Sequence, residues 1–144
     1  MKSKKLNEMQ LKIPALSQNE SVCRSIVGAF VSQLDPSIEE LADIKCSLSE
    51  AVTNCIVHAY RGERGGEIYI AVKIYEDRMV KIEVRDRGCG IPDIEEARRP
   101  LFTTDPEGER SGMGFSVMES FMDSLTVRSK VGHGTKIAMK KKLS

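Results

Sequence analysis

The 144-residue chain is short of several features that would each announce a function. Its 22 Lys and Arg nearly cancel its 21 Asp and Glu, so a net charge of +1 makes no electrostatic case for nucleic acid or an anionic membrane as a partner. No apolar run approaches the ~20 residues of a membrane span, and the basic N-terminus MKSKKLNEMQ lacks the apolar stretch of a secretory signal. The four cysteines (Cys23, Cys46, Cys55, Cys89) form no C-x-x-C pair and no metal-ligand spacing with His58 or His133, and are expected as small core residues in a reducing compartment. Tryptophan is absent. So are the G-x-x-x-x-G-K-[ST] phosphate loop and a Rossmann G-x-G-x-x-G after a strand. These absences leave one soluble, cytoplasmic domain spanning 1–144, long enough for a real core.

Periodicity then supplies the elements. Met9 to Ile13 alternates as a half-buried strand closed by Pro14. Ser17-Gln18-Asn19-Glu20 has the spacing of a capping box and opens a helix with Val22, Ile26, Ala29, Phe30 and Leu34 as its apolar face, stopped by Asp35-Pro36. Ser37-Ile38-Glu39-Glu40 repeats that pattern and opens a longer helix with a stripe through Leu41, Ile44, Leu48, Ala51 or Val52, Cys55 and Ala59. Two alternating strands, 67–75 and 79–85, form an antiparallel pair. A Gly-, Pro- and Thr-rich segment from Asp86 to Gly114 follows, holding a short helix at 94–98. A loop this long in a compact domain is expected to be functional. A third helix over 114–122 and strands over 124–129 and 135–139 complete the order β-α-α-β-β-loop-α-β-β. The Lys140-Lys141-Lys142 run reads as a solvated tail. The fold class is α+β: a two-layer sandwich with helices on one face of a mostly antiparallel, mixed sheet.

Four places could carry chemistry, and each is ambiguous alone. Glu50, Asn54 and His58 recur every four residues on one flank of the second helix, although such flanks are usually just solvated. Asp86-Arg87-Gly88-Cys89-Gly90 ends a strand with an acceptor and two glycines, which is also ordinary turn chemistry. Arg110-Ser111-Gly112-Met113-Gly114-Phe115 precedes a helix, where bare amides and the positive dipole end favour an anion. Gly132-His133-Gly134-Thr135 is a hairpin turn whose Thr135 could face a ligand.

Their order is more specific than any one of them. E-x-x-x-N on a helix, D-x-G-x-G after a strand, G-x-G opening a helix and a G-T turn between the last strands together resemble the Bergerat ATP-binding fold of the gyrase, Hsp90, histidine-kinase and MutL superfamily. The resemblance runs from about Asn7 to Lys140. Glu50-Ala51-Val52-Thr53-Asn54, the Arg85 to Asp93 segment, Pro100-Leu101-Phe102-Thr103-Thr104 and Arg110 to Phe115 narrow it: the chain is similar to the anti-sigma F factors of sporulating bacteria.

That resemblance implies a serine kinase that uses ATP and Mg²⁺. Glu50 would be the general base on the acceptor serine and Asn54 the Mg²⁺ ligand. Asp86 would take the adenine amine, with Gly88 and Gly90 beside it and Thr135 near the ring. Thr104, Ser111, Gly112, Met113, Gly114 and Phe115 would belong to the phosphate lid, with Arg110 near the γ-phosphate and Arg24 on the partner surface. The implied partners are a sporulation sigma factor, an anti-anti-sigma protein carrying the substrate serine, and a second copy of the chain. Asp105 departs from the family, which often carries Lys there, and an acidic group near a triphosphate repels it. A general-stress anti-sigma kinase and a nucleotide-gated sigma-binding module without kinase activity are the alternatives.

Overall fold

The computed structural model describes residues 3–61, 65–98 and 114–144. Strand β1 (Lys5–Pro14) leads to helix α1 (Asn19–Val31), then α2 (Ile38–Thr53), which continues as a π-helical segment over Asn54–Ala59. Strands β2 (Glu67–Tyr75) and β3 (Met79–Arg85) follow, then α3 (Ile94–Ala97), α4 (Gly114–Phe121), β4 (Ser124–Lys130) and β5 (Gly134–Lys142). The sheet order is β1-β2-β3-β5-β4. Every pairing among the described residues is antiparallel, so the parallel pair that a mixed sheet would need does not occur there. The segment between β3 and β4 carries α3 and α4 and delivers β4 to the edge, and β5 then inserts between β4 and β3.

The strands build one apolar face. Ile68, Ile70, Val72 and Ile74 of β2, Val80, Ile82 and Val84 of β3, and Ile137 and Met139 of β5 are each at most 2% exposed. They meet Ile44, Leu48 and Val52 of α2 and Cys23, Val27 and Val31 of α1, all at 0%. Burying side chains of this size stabilises the fold by about 1.5–3 kcal/mol each.

The two expected capping boxes have different fates. Ser37 accepts from the Glu40 amide at 3.0 Å and the Glu40 carboxylate accepts from the Ser37 amide at 2.9 Å, so α2 begins as its sequence dictates. At α1 the box does not form. The chain turns tightly after Pro14, and the Asn19 and Glu20 amides go to the backbone carbonyls of Leu16 and Ser17. Glu20 is thereby left to pair with Arg24 at 3.0 Å.

The buried stripe of α1 is also one residue away from the expected face. Cys23, Val27, Gly28 and Val31 point inward, whereas Val22 is 41% exposed and Ala29 is exposed. Both stripes have helical spacing. Gly28 decides between them, because a Cβ there would stand only 3.1 Å from the Lys45 stem of α2, so the glycine side is the one that can approach. Of the cysteines, Cys23 and Cys55 are core residues, while Cys46 is exposed and Cys89 half-buried. The Lys140–Lys142 run is not a tail. It lies within β5, and Lys141 folds back so that its ammonium donates to the Phe121 carbonyl at the end of α4 (2.7 Å) and faces Asp43 at 3.6 Å.

Candidate functional site

The site is assembled where the end of α2 meets the end of β3. The Asn54 amide donates to the Glu50 carbonyl, so Asn54 stands one α-helical turn beyond Glu50, on the same side. From there the bonding changes to i→i+5, closed by Tyr60 N–H to the Cys55 carbonyl at 3.1 Å. Inserts of this kind are frequent at functional sites.

The π segment docks on the D-x-G-x-G loop through its backbone. The Ala59 carbonyl accepts from the Cys89 amide at 3.0 Å, and a Cβ at Gly88 would lie 2.4 Å from that same carbonyl oxygen. Gly90 adopts φ +79 with Lys130 O 2.4 Å from its absent Cβ. Both glycines therefore have a packing reason within the chain, independent of any ligand.

Asp86 is the electrostatic centre. It is 2% exposed. Its Oδ1 accepts from the Gly88 amide at 2.9 Å and the Thr135 amide at 3.2 Å, while its own amide donates to the Thr135 carbonyl at 2.9 Å. Oδ2 is buried with no hydrogen-bond partner. Burial pushes the carboxyl above its ordinary value of 3.8, an effect that the Gly88 amide first, then the neighbouring Cys55 thiol and the Thr135 amide, partly offset. Cys55 lies against this carboxylate, and burial, reinforced by the Asp86 charge, holds its thiol well above the ordinary range. A buried acceptor with one vacant oxygen suits a neutral N–H donor such as the exocyclic amine of a purine.

Glu50 meets the other end of the site. Its Oε2 lies 3.2 Å from where a Cβ on Gly114 would stand, so the N-terminus of α4 packs closely over the carboxylate, and a side chain at 114 would push it aside by a few tenths of an ångström. The fold thus brings Glu50, Asn54, Asp86, Gly88, Gly90, Gly114 and Thr135 to one end of the helix–sheet interface. Phe115, one residue into α4, is 7% exposed and packs in the core. Arg24 lies apart on α1, its side chain 41% exposed in the pair with Glu20. Thr104, Arg110, Ser111, Gly112 and Met113, with Asp105, lie outside the described residues.

Three supporting residues escaped the sequence reading. The Tyr60 hydroxyl donates to Glu67 O at 2.8 Å and accepts from the Arg87 amide at 2.7 Å, joining the start of β2 to the loop after β3. The Gly65-Gly66 pair was the available signal, since a Cβ at Gly66 would fall 2.5 Å from the Tyr60 ring. Ser129 accepts from the Ile91 amide at 2.7 Å, donates to Gly134 O at 3.0 Å and lies 2.8 Å from the Thr135 hydroxyl. Cys55 is the third, and its helical spacing alone marked it as core.

Comparison with known proteins agrees with this geometry. Residues 13–141 match the family of histidine kinase-like ATPase domains. The anti-sigma F factor of Geobacillus sp. (strain WCH70) is 56% identical over 135 residues, covering 94% of this chain and 92% of the relative. That of Bacillus licheniformis is 54% identical over 138 residues, covering 96% and 94%. Solved structures of low identity share the fold. The RsbU and RsbW domains of a Mycobacterium tuberculosis protein superpose with TM-score 0.70 at 18% identity, over 95% of this chain and 32% of that one. The catalytic domain of the histidine kinase ThkA gives 0.58 at 17% identity, over 96% and 97%. The chain therefore belongs to the anti-sigma F factor family, within the histidine kinase-like ATPase domains.

Proposed function

We propose that this protein binds and inhibits a sporulation sigma factor and uses ATP to phosphorylate a serine on the factor's anti-anti-sigma antagonist. The observation that carries the reading is the pair of carboxylates at the site: Asp86, buried with one oxygen vacant, and Glu50, set against the start of α4. The first fits an adenine amine, and the second stands at the helix N-terminus that would meet the phosphates. The names of the relatives supply the sigma-factor partner.

Nucleotide fits the residues present. Oδ2 of Asp86 would accept from the adenine amine, with Thr135 and Ser129 fixing the carboxylate from behind. Among the described residues no three His, Cys, Asp or Glu side chains converge on a metal-sized site. As the family resemblance implies, a Mg²⁺ would rest on the Asn54 amide oxygen and complete its shell with phosphate and water oxygens, as that ion commonly does. Bound there, it would neutralise charge on the transferring phosphoryl group. Glu50 would accept the proton of the attacking serine hydroxyl, and Arg110 would stabilise charge at the γ-phosphate. Arg24 would contact the protein partners. A homodimer would cover the outer edge of β1, which among the described residues pairs only with β2, together with exposed Leu6 and Val22.

The test is transfer of label from γ-³²P-ATP with Mg²⁺ to a purified anti-anti-sigma protein, beside Glu50→Ala. Label on a serine that falls about 10²–10⁴-fold in the variant, with ATP binding retained, supports the kinase. Tight ATP binding without transfer by the wild type would leave a nucleotide-gated binding module.

A further inference from the structure

Among the described residues the second face of the sheet carries no helix, and the strand registers set its charges in rows. Arg85, Lys136 and Arg128 stand directly opposite one another on β3, β5 and β4. Four residues along, Lys73, Lys81 and Lys140 do the same on β2, β3 and β5, with Glu8 of β1 opposite Lys73 at the end of that row. Like charges facing each other across a ladder destabilise a sheet, yet this face keeps two such triplets. Glu83, between the rows, reaches Lys136 at 3.5 Å. Among the described residues, Lys73, Arg128 and Lys140 enter no ion pair. Tyrosines seat some of the cations: the Arg85 guanidinium lies 5.1 Å from the Tyr69 ring centre and the Lys81 ammonium 4.8 Å from that of Tyr75. Where the β4–β5 turn closes the corner, a cleft of about 330 Å³ is lined by Arg85, Arg128, Lys130 and Lys136, and it is shared with Asp86 and Thr135 of the candidate site.

We infer that this face docks the phosphodiester backbone of a nucleic-acid duplex. At about 3.3 Å per residue the two rows lie about 13 Å apart, and cations within a row are about 4.8 Å apart. The first spacing matches a major groove about 12 Å wide, so that each row meets one backbone. The large exposed apolar side chains of the described residues (Leu6, Leu16, Val22, Ile38, Val131) lie off the open face of β2–β5, so nothing there would insert into a bilayer. The net charge of +1 argued against such a partner. The fold overrides that average by gathering basic side chains on one face and placing Glu39, Glu40, Asp43 and Glu50 on α2. Binding is to backbone and is therefore indifferent to sequence.

The experiment is fluorescence anisotropy of the full chain with a labelled 20-base-pair DNA duplex between 50 and 200 mM salt. Contact with about five phosphates predicts a log–log slope near −4.5, or about a twentyfold loss of affinity from 50 to 100 mM. Lys73→Ala/Lys140→Ala is expected to weaken binding at least tenfold and to flatten the slope, with circular dichroism and ATP affinity unchanged. Ile38→Glu/Ala42→Glu, on exposed positions of α2, changes the net charge equally and is expected to have under a threefold effect. No duplex binding at 50 mM salt, equal weakening by both double variants, or preference for a single strand, polyglutamate or phosphatidylserine vesicles over the duplex would each overturn the assignment.

Discussion

Replacing Asp86 with asparagine is predicted to move stability and nucleotide affinity in different directions. The asparagine carbonyl can keep both amide donors, Gly88 at 2.9 Å and Thr135 at 3.2 Å. Its NH₂ then takes the place of Oδ2, which has no partner in the folded chain. Hydrogen bonds to a charged acceptor contribute about 1 kcal/mol more than neutral ones, which alone would make the variant weaker. Yet the carboxyl of Asp86 is held above 3.8 with those bonds in place, so burial outweighs them and the fold prefers the group neutral. The sign follows. The native state binds this proton more readily than the unfolded chain, so wild-type stability falls as pH rises from about 3.8 through the folded value. Asp86→Asn should therefore melt at or above the wild-type temperature at pH 7, and this advantage should shrink as the pH drops below 4. Nucleotide binding goes the other way. An adenine amine would lose a charge-assisted bond of about 1.5–3 kcal/mol and face a buried donor for about 1–3 kcal/mol more, a loss of at least about a hundredfold in affinity. Scanning calorimetry and ATP titration calorimetry on the same preparations read both quantities. Less than a threefold change in affinity would refute the adenine assignment, and a melting temperature several degrees lower would refute the burial argument.

Three further outcomes follow from the packing. Glu40, held at about 2 by the Ser37 and Ser144 amides, contributes stability that is present above its ordinary 4.5 and lost as pH falls toward 2. The acid side of the wild-type melting profile should therefore be steeper than that of Glu40→Gln. Gly134→Ala puts a Cβ 2.2 Å from Asp86 O at φ +122, and chemical denaturation should report a loss of more than about 2 kcal/mol together with weakened ATP binding. Lys141→Met strands the Phe121 carbonyl and Asp43, costing about 1–3 kcal/mol by the same measurement, with β5 still formed by circular dichroism.

Local patterns were legible in the sequence where one physical effect dominated. Alternation gave β2 and β3 their residues because one face is wholly buried. Ser37-x-x-Glu40 gave the start of α2 because nothing nearby competes for those amides. The same pattern misled at Ser17, where the turn after Pro14 uses the amides first. It misled again along α1, where two stripes have equal spacing and only contact with α2 chooses one. Within Lys140–Lys142 a run of like residues hides that alternate side chains of a strand face opposite ways, one to cap a helix and two to the open sheet.

The sequence by itself determined the element order and the helix–sheet layering, because these depend on periodicity and on glycines that admit no side chain. The tertiary structure alone decided what the site residues meet. It ended α2 in a π segment docked on the loop after β3, left one oxygen of Asp86 unpaired, set Tyr60 and Ser129 behind the loop, and sorted a nearly neutral chain into an acidic helix and a basic sheet face. Such properties arise from strand register and from contacts between residues distant in the chain, neither of which a one-dimensional pattern encodes.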